Sequence, residues 1–345
     1  MRLDLARSTL RLSEPLRAAY GEVAERELIL VRVTGADGLY GLGEAAPLPA
    51  YGGPGTDRVL RALEAYVPVV AAVGEDGPAA GVRLLEACRA ADDVPEAIAA
   101  LDMALWDRAG RRAGRPVAEL ISDTPAAAVP VNATLTATDR AGAAQQAERA
   151  VAAGFGCVKV KVGLGDDAGR VAAVRAAAGR EVLLRLDANG AWDPEQAVLA
   201  IEALSPAGLE LVEEPCHGLH AVRAVRERVA VRIAIDETAA EPGALAGGAA
   251  DAVCLKLSRC GGIGPLLAAA ALVRASGSEV YLASTLDGPL GIAAAVHAAA
   301  ALASRGPLPH CGLATLGLFE GVEDPLAPAH GAIAVPPGPG LGVEA

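Results

Sequence analysis

The chain has 345 residues, a net charge of −12 and 52% hydrophobic residues, of which few are aromatic. This acidic balance argues against a nucleic-acid partner, because phosphate contacts require clustered Lys and Arg. The longest apolar run, at 291–303, is too short to span a membrane, and the first residues do not resemble a signal peptide, so we expect a cytoplasmic protein without a membrane partner.

The first third of the chain is predicted to form a small α+β domain. Apolar alternation predicts a strand at 2–10 and a hairpin that turns at 36–38. Apolar residues at three- and four-residue spacing predict helices over 56–72, 80–91 and 94–112. We place this domain at 1–124, a second domain at 125–320, and an extended tail rich in Pro and Gly at 321–345 that packs back on the first.

One pattern recurs through the second domain, where a short apolar strand ends in a charged residue and a helical stretch follows. Five such strands are closed at intervals of 26, 26, 23 and 20 residues by Lys161, Asp187, Glu213, Asp236 and Lys256. Each interval fits one strand plus one helix, which is typical of a β/α barrel. The segments 279–284 and 309–314 are predicted to complete it as strands seven and eight.

The five charges predict an active site, because the carboxyl ends of barrel strands converge on one rim. Asp187, Glu213 and Asp236 would supply the oxygen ligands that a hard cation such as Mg²⁺ prefers, with lysines on opposite sides. Lys159 lies two residues before Lys161, on the same face of its strand. Its ammonium and the metal together are predicted to lower the pKa of Lys161, which would then serve as a base.

Three further polar residues at the strand ends are expected to support the metal ligands: Asn189, Glu214 and Glu237. Adjacent strand residues point to opposite faces, so only one member of each acidic pair can reach the ion. A buried network of structural ion pairs is the alternative interpretation. The glycines at 163, 165 and 169 match a dinucleotide fingerprint poorly, since two aspartates would face the pyrophosphate. The six scattered cysteines are expected to be reduced thiols.

In combination, VKVKVG, LRLDANGAW, LVEEP, IAIDET and LKLSRCGG, preceded by GEAAPLP and LDMALWDRAG, resemble the enolase superfamily and its muconate-lactonising subgroup. The resemblance implies a modified TIM barrel, (β/α)₇β, with an α+β capping domain completed by the C-terminal tail. It also implies Mg²⁺ as cofactor, with Mn²⁺ as the alternative. Carried over to this chain, the metal ligands are Asp187, Glu213 and Asp236, and the catalytic lysines are Lys161, its neighbour Lys159, and Lys256 across the ring.

The shared chemistry of this family is removal of a proton next to a carboxylate. The segments at 12–33, 43–53 and 311–319 look most like o-succinylbenzoate synthases, which eliminate water during menaquinone synthesis. Dipeptide epimerases and muconate-type cycloisomerases use the same frame and remain alternatives. The acidic pair that epimerases typically carry on strand eight is missing from 310–315. A catalytically silent barrel that only binds a ligand is the alternative of another class.

Specificity is expected from loops near 16–21 and 47–53 and from the residues after strand seven. We expect a small carboxylate substrate and a homo-oligomer. The candidate substrate-binding residues are Tyr20, Tyr51, Ser284, Thr285 and Asp287.

Overall fold

A computed structural model describes residues 1–73 and 80–344, and its N-terminal part is a three-stranded antiparallel sheet. The strands are β1 (Arg2–Ala18), β2 (Gly21–Thr34) and β3 (Tyr40–Ala45), and the predicted turn at 36–38 joins the last two. The predicted strand at 2–10 is too short. After an irregularity between Arg11 and Leu16, β1 pairs with β2 again. Segment 16–21 is therefore the tip of a β hairpin rather than a loop.

Two helices, α1 (Thr56–Ala72) and α3 (Pro95–Ala113), cover one face of this sheet. Helix α2 (Ala80–Ala91) packs against both of them, and α4 (Val117–Ile121) packs against α3. Helix α3 lies directly on β3 because glycines occupy the contact. A Cβ at Gly43 would come within 2.1 Å of the Ala100 carbonyl oxygen, and one at Gly41 within 2.0 Å of that of Ala104. The apolar residues of β2, α1 and α3 form a core of their own beneath. The predicted helices are confirmed to within one residue.

Seven parallel strands form the curled sheet of the second part, where they lie side by side in chain order. The eighth predicted strand closes the barrel through single bridges from Cys311 to Val131 and from Gly312 to Ala283. The predicted modified TIM barrel is confirmed. The strands are β5 (Ala133–Leu135), β6 (Cys157–Lys161), β7 (Leu183–Asp187), β8 (Leu211–Glu213), β9 (Arg232–Ile235), β10 (Ala252–Leu255) and β11 (Glu279–Leu282).

Helices connect most of the barrel strands: α5 (Arg140–Ala152), α6 (Asp167–Ala178), α7 (Pro194–Leu204), α8 (Leu219–Arg226), α9 (Leu257–Cys260), α10 (Ile263–Ala275) and α11 (Pro289–Ala303). The connection from β9 to β10 differs, because its described residues contain only a 3₁₀ helix at Glu237–Ala240. The predicted helix there is wrong, since this interval is the shortest of the four. At the start of α6, Asp167 accepts the Gly163 N–H, which occupies a donor of the glycine-rich segment.

The C-terminal segment returns to the first part of the chain. Strand β12 (Ala332–Ala334) pairs with β4 (Ala128–Pro130) ahead of the barrel. Beyond it, the Gly340 carbonyl accepts the Val117 N–H, and the Leu341 N–H donates to Asp107 at 2.7 Å. These bonds hold the tail against α3 and α4; residue 345 of the predicted tail lies outside the described residues. All six cysteines are unpaired thiols. Among the described helices, none is long and apolar enough to cross a membrane.

Candidate active site

The charged strand ends predicted from the sequence meet at one rim of the barrel. Lys161, Asp187 and Glu213 are the last residues of β6, β7 and β8 and are neighbours in register. Asp236 and Lys256 directly follow β9 and β10. None of the five is more than 8% exposed. The hydrogen-bonded sheet thus sets the spacing of these charges, at the end of the barrel where enzymes of this fold keep their active sites. We call this group, with Lys159, the rim site.

On one side of the rim site, two lysines share two acids. Lys159 Nζ lies 2.8 Å from Asp187 Oδ2 and 2.7 Å from Glu213 Oε1, and Lys161 Nζ lies 2.7 Å from the same Asp187 oxygen. Burial acts to raise the pKa of Asp187, but the two ammonium groups outweigh it and hold that pKa well below its usual range. These pairs are shielded from water, so they are stronger than surface ion pairs.

The pKa of Lys161 is set mainly by burial and by its ion pair with Asp187. Burial acts to lower it, but the charge of Asp187 outweighs burial and the repulsion from Lys159 together, so the pKa of Lys161 is raised. The predicted lowering refers to the site with a bound metal, and it stays a prediction. The prediction took account of the neighbouring lysine and a metal, and overlooked a direct ion pair with a carboxylate.

Lys256 lies on the other side of the rim site. It forms an ion pair with Asp236 and donates a hydrogen bond to Tyr51 Oη at 2.7 Å. Burial acts to lower the pKa of Lys256, and Asp236 overcomes this and raises it. Since β10 and β6 are separated by three strands in the sheet, Lys256 faces Lys161 across the mouth of the barrel. Two ammonium groups therefore approach one cavity from opposite sides.

The three predicted supporting residues lie immediately around this group. Asn189 Oδ1 accepts from Lys161 Nζ at 2.7 Å, and its amide donates to Glu237 Oε1 at 2.9 Å. Glu214 turns away from the cavity and accepts the Asp236 N–H at 2.7 Å, so it fixes the backbone beneath that acid. Asn189 and Glu214 have φ of 45° and 42°. Left-handed backbone at non-glycine residues is costly and concentrates at functional sites.

The donor set fits a divalent cation. The Lys159 ammonium contacts one oxygen each of Asp187 and Glu213, so both acids point at a common position that attracts positive charge. Ligand atoms of Glu213, Asp236 and the Cys254 thiol lie within 4.8 Å of one another. Burial, reinforced by the neighbouring acids, raises the pKa of Glu213 to about 7 despite Lys159. A bound cation would relieve this crowding of buried acids, and oxygen donors suit hard ions.

Four of the five predicted substrate-binding residues line the cavity above the rim site. Tyr20 and Tyr51 reach it from the first part of the chain, with ring centroids 5.7 Å apart in an edge-to-face arrangement. Ser284 and Thr285 line it from the segment after β11. The other lining residues outside the rim site include Leu16, Leu48, Thr134, Asn189, Leu286, Gly312 and Thr315.

Asp287 is the exception, because its side chain lies behind the cavity wall. Its carboxylate accepts from Thr285 Oγ1 at 2.6 Å and belongs to a second buried group with Arg26 and Glu44, which we call the interface cluster. Arg26 donates to the carbonyl oxygens of Pro47 and Ala46 at 2.7 and 2.8 Å. The cluster thus joins the sheet of the first part to the loops of the barrel.

Sequence reasoning missed Tyr281 on β11. Its hydroxyl donates a 2.6 Å hydrogen bond to Glu213 Oε2, yet its ring lies inside the barrel and not in the cavity lining. The signal in the sequence was one polar hydroxyl among the three residues that follow the exposed Glu279 in the strand EVYL. Thr134 and Leu286 also line the cavity, and sequence reasoning missed them because they carry no charge.

Two family descriptions match the chain almost from end to end. Residues 3–122 match the mandelate racemase / muconate lactonizing enzyme N-terminal domain, and residues 142–345 match the enolase C-terminal domain-like family. The chain belongs to the enolase superfamily. The muconate-lactonising subgroup expected from the sequence is also confirmed. This protein is an enzyme, an isomerase or a lyase like its relatives in that subgroup. The comparisons therefore favour an enzyme over the catalytically silent binding barrel.

Relatives in three reaction classes resemble this superfamily member. An o-succinylbenzoate synthase from Thermobifida fusca is 40% identical over 60% of this chain and 66% of its own. Muconate cycloisomerase 1 from Rhodococcus opacus is 31% identical over 96% and 92%. A dipeptide epimerase from Enterococcus faecalis, solved with Mg and L-Leu-L-Tyr, aligns with a TM-score of 0.90 at 28% identity, over 100% of this chain and 99% of that one. The magnesium in that structure supports a divalent metal here.

Proposed function

We propose that this enzyme removes the proton next to the carboxylate of a small substrate and then eliminates water, as an o-succinylbenzoate synthase does. The carboxylates that would hold the cation are Asp187, Glu213 and Asp236, with Mg²⁺ expected and Mn²⁺ as the alternative. When bound, the cation supplies positive charge to the substrate carboxylate and so makes its neighbouring C–H more acidic.

The two lysines that face each other would do the proton chemistry. Lys161 Nζ, once neutral, takes the α-proton and later returns it to the departing hydroxyl, which leaves as water. The lysine ends in its starting state, so the elimination balances. Lys256 stays protonated on the opposite side, where its charge and the Tyr51 hydroxyl stabilise the substrate enediolate.

The observation that favours elimination over dipeptide epimerisation is the acid content of the cavity lining. Among the described lining residues, the only acids are Asp187 and Asp236, and both belong to the proposed cation site. On the side of the eighth strand, the cavity is lined by Gly312 and Thr315, and neither carries a carboxylate. A dipeptide ammonium would need a buried carboxylate of its own, since an unpaired buried charge is strongly unfavourable. A substrate without an ammonium group fits this lining better.

The test is loss of ultraviolet absorbance of the cyclohexadiene carboxylate precursor of o-succinylbenzoate, measured with Mg²⁺. We expect turnover by wild type that is abolished by EDTA and by Lys161→Ala. Wild type that is folded and metal-loaded yet leaves the precursor unchanged would overturn the elimination proposal. Solvent deuterium uptake by dipeptides, or lactonisation of muconate, under the same conditions would then identify epimerisation or cycloisomerisation on the same lysines.

A further inference from the structure

Glu213 is held at both carboxylate oxygens, by two different kinds of donor. Oε1 contacts the Lys159 ammonium at 2.7 Å, and Oε2 accepts the Tyr281 hydroxyl at 2.6 Å. Glu213 is fully buried and Tyr281 is 1% exposed. The lysine is a cation and competes with any ion that approaches the acid. The tyrosine is neutral, so its hydrogen bond is compatible with a cation on the same carboxylate.

The Tyr281 ring is itself fixed from below. The Arg185 guanidinium carbon lies 4.9 Å from the ring centroid, in cation–π geometry. Arg185 is completely buried and is held by Glu210 at 2.6 Å and by the His310 carbonyl at 2.6 Å. A continuous set of contacts therefore runs from Glu210 through Arg185 and Tyr281 to Glu213. Neither Arg185 nor Tyr281 lines the substrate cavity.

We propose that Tyr281 is a positioning residue that orients Glu213 for the divalent cation. The inference rests on the cation site of the proposed function. A carboxylate at the end of a flexible Glu side chain can rotate, and rotation would turn a ligand oxygen away from the ion. The hydroxyl removes this freedom without adding positive charge. Groups that support metal ligands in this way typically change metal affinity by about 10–100-fold when they are removed.

Tyr281→Phe tests the proposal, because it removes one oxygen and keeps the ring. Tyr66→Phe is the matched control: Tyr66 is also fully buried and its hydroxyl bonds a backbone carbonyl, that of Asp92, in the first part of the chain. Affinity for Mn²⁺ is measured without substrate from the spin-resonance signal of the free ion, and for Mg²⁺ by competition. We expect Tyr281→Phe to bind both ions about 10–100-fold more weakly and Tyr66→Phe to match wild type.

Two outcomes separate this inference from the function on which it rests. Tight binding by wild type with an unchanged Kd in folded Tyr281→Phe overturns the role of Tyr281 and leaves the cation site intact. Failure of wild type to bind either ion overturns the cation site itself. Should Tyr281→Phe not fold, Arg185→Gln provides the second test: it removes the cation beneath the Tyr281 ring, and a weaker affinity is expected. Unchanged affinity in that variant also counts against the proposal.

Discussion

The rim site and the interface cluster both bury acids against bases, but their partners differ. In the rim site, Lys159 and Lys161 are neutralised by the side chains of Asp187 and Glu213. In the interface cluster, Arg26 donates to backbone carbonyls, and Glu44 accepts the Leu290 N–H at 3.2 Å. Backbone partners cannot leave without unfolding, whereas side chains beside a cavity can exchange one partner for another. The first arrangement suits reacting groups and the second suits fixed ones.

Lys161→Arg should separate these roles most clearly. Arginine keeps the positive charge beside Asp187 but cannot act as a base near neutral pH. We expect kcat to fall by about 10²–10⁴-fold, the usual contribution of general acid–base catalysis, with little change in Tm. Steady-state kinetics on whichever substrate proves active measures the effect. A variant with near-normal kcat would mean that Lys161 is a structural counter-ion like the members of the interface cluster.

Arg26→Met should show the opposite pattern. Its loss leaves three buried carbonyls, those of Ala46, Pro47 and Leu286, without this donor and removes the arginine charge near Asp287 and Glu44. Breaking such a buried group typically costs about 3–5 kcal/mol of unfolding free energy. Urea denaturation measures this cost, and kcat of the folded fraction should stay close to wild type. A large drop in kcat with unchanged stability would mean that Arg26 takes part in catalysis. The rim site and the interface cluster would then not differ in role.

Glu44→Gln should change how stability depends on pH. Burial, with a contribution from Asp287, raises the pKa of Glu44 from 4.5 to about 8. The folded state therefore favours the protonated acid, and its contribution is complete below about pH 4.5 and is lost as pH rises to about 8. Relative to Glu44→Gln, wild type should lose stability across that window. Parallel curves for the two proteins would contradict the raised pKa, and exposed Glu25→Gln is the control.

Asp287→Asn should have the smallest effect. Asparagine keeps an acceptor for the Thr285 hydroxyl, so the expected loss is about 1 kcal/mol of unfolding free energy, the net value of one hydrogen bond. Because Asp287 lies behind the cavity wall, KM should remain within about threefold of wild type. An increase of tenfold or more at unchanged stability would return Asp287 to the substrate-binding residues predicted from the sequence.

The rim site could be predicted from the sequence because each of its charges follows its own strand. The regular alternation of strand and helix is enough to place Lys161, Asp187 and Glu213 at the same rim. The antiparallel sheet and the helices of the first part were predictable from local periodicity in the same way. The replacement of one helix by the turn at 237–240 was visible in the short interval and was overlooked.

Partners that are distant in the chain were beyond local patterns. Tyr281 is 68 residues from Glu213, and Tyr51 is 205 residues from the Lys256 ammonium it accepts from. Their contacts exist only after the barrel has closed and the first part has docked. The ion pair between Lys161 and Asp187 could not be predicted for a related reason, since it depends on which of several nearby charges the flexible side chain contacts.

Among the residues that the structure describes, two single bridges, from Cys311 and Gly312, close the barrel. During synthesis from the N-terminus, β5 to β11 are all made before either of these residues leaves the ribosome. Until then β5 and β11 are open edges of a parallel sheet, and such edges invite pairing with other chains. The nascent polypeptide is therefore most exposed to aggregation after β11 has been made and before Cys311 and Gly312 can pair, and a chaperone would be of most use at that stage.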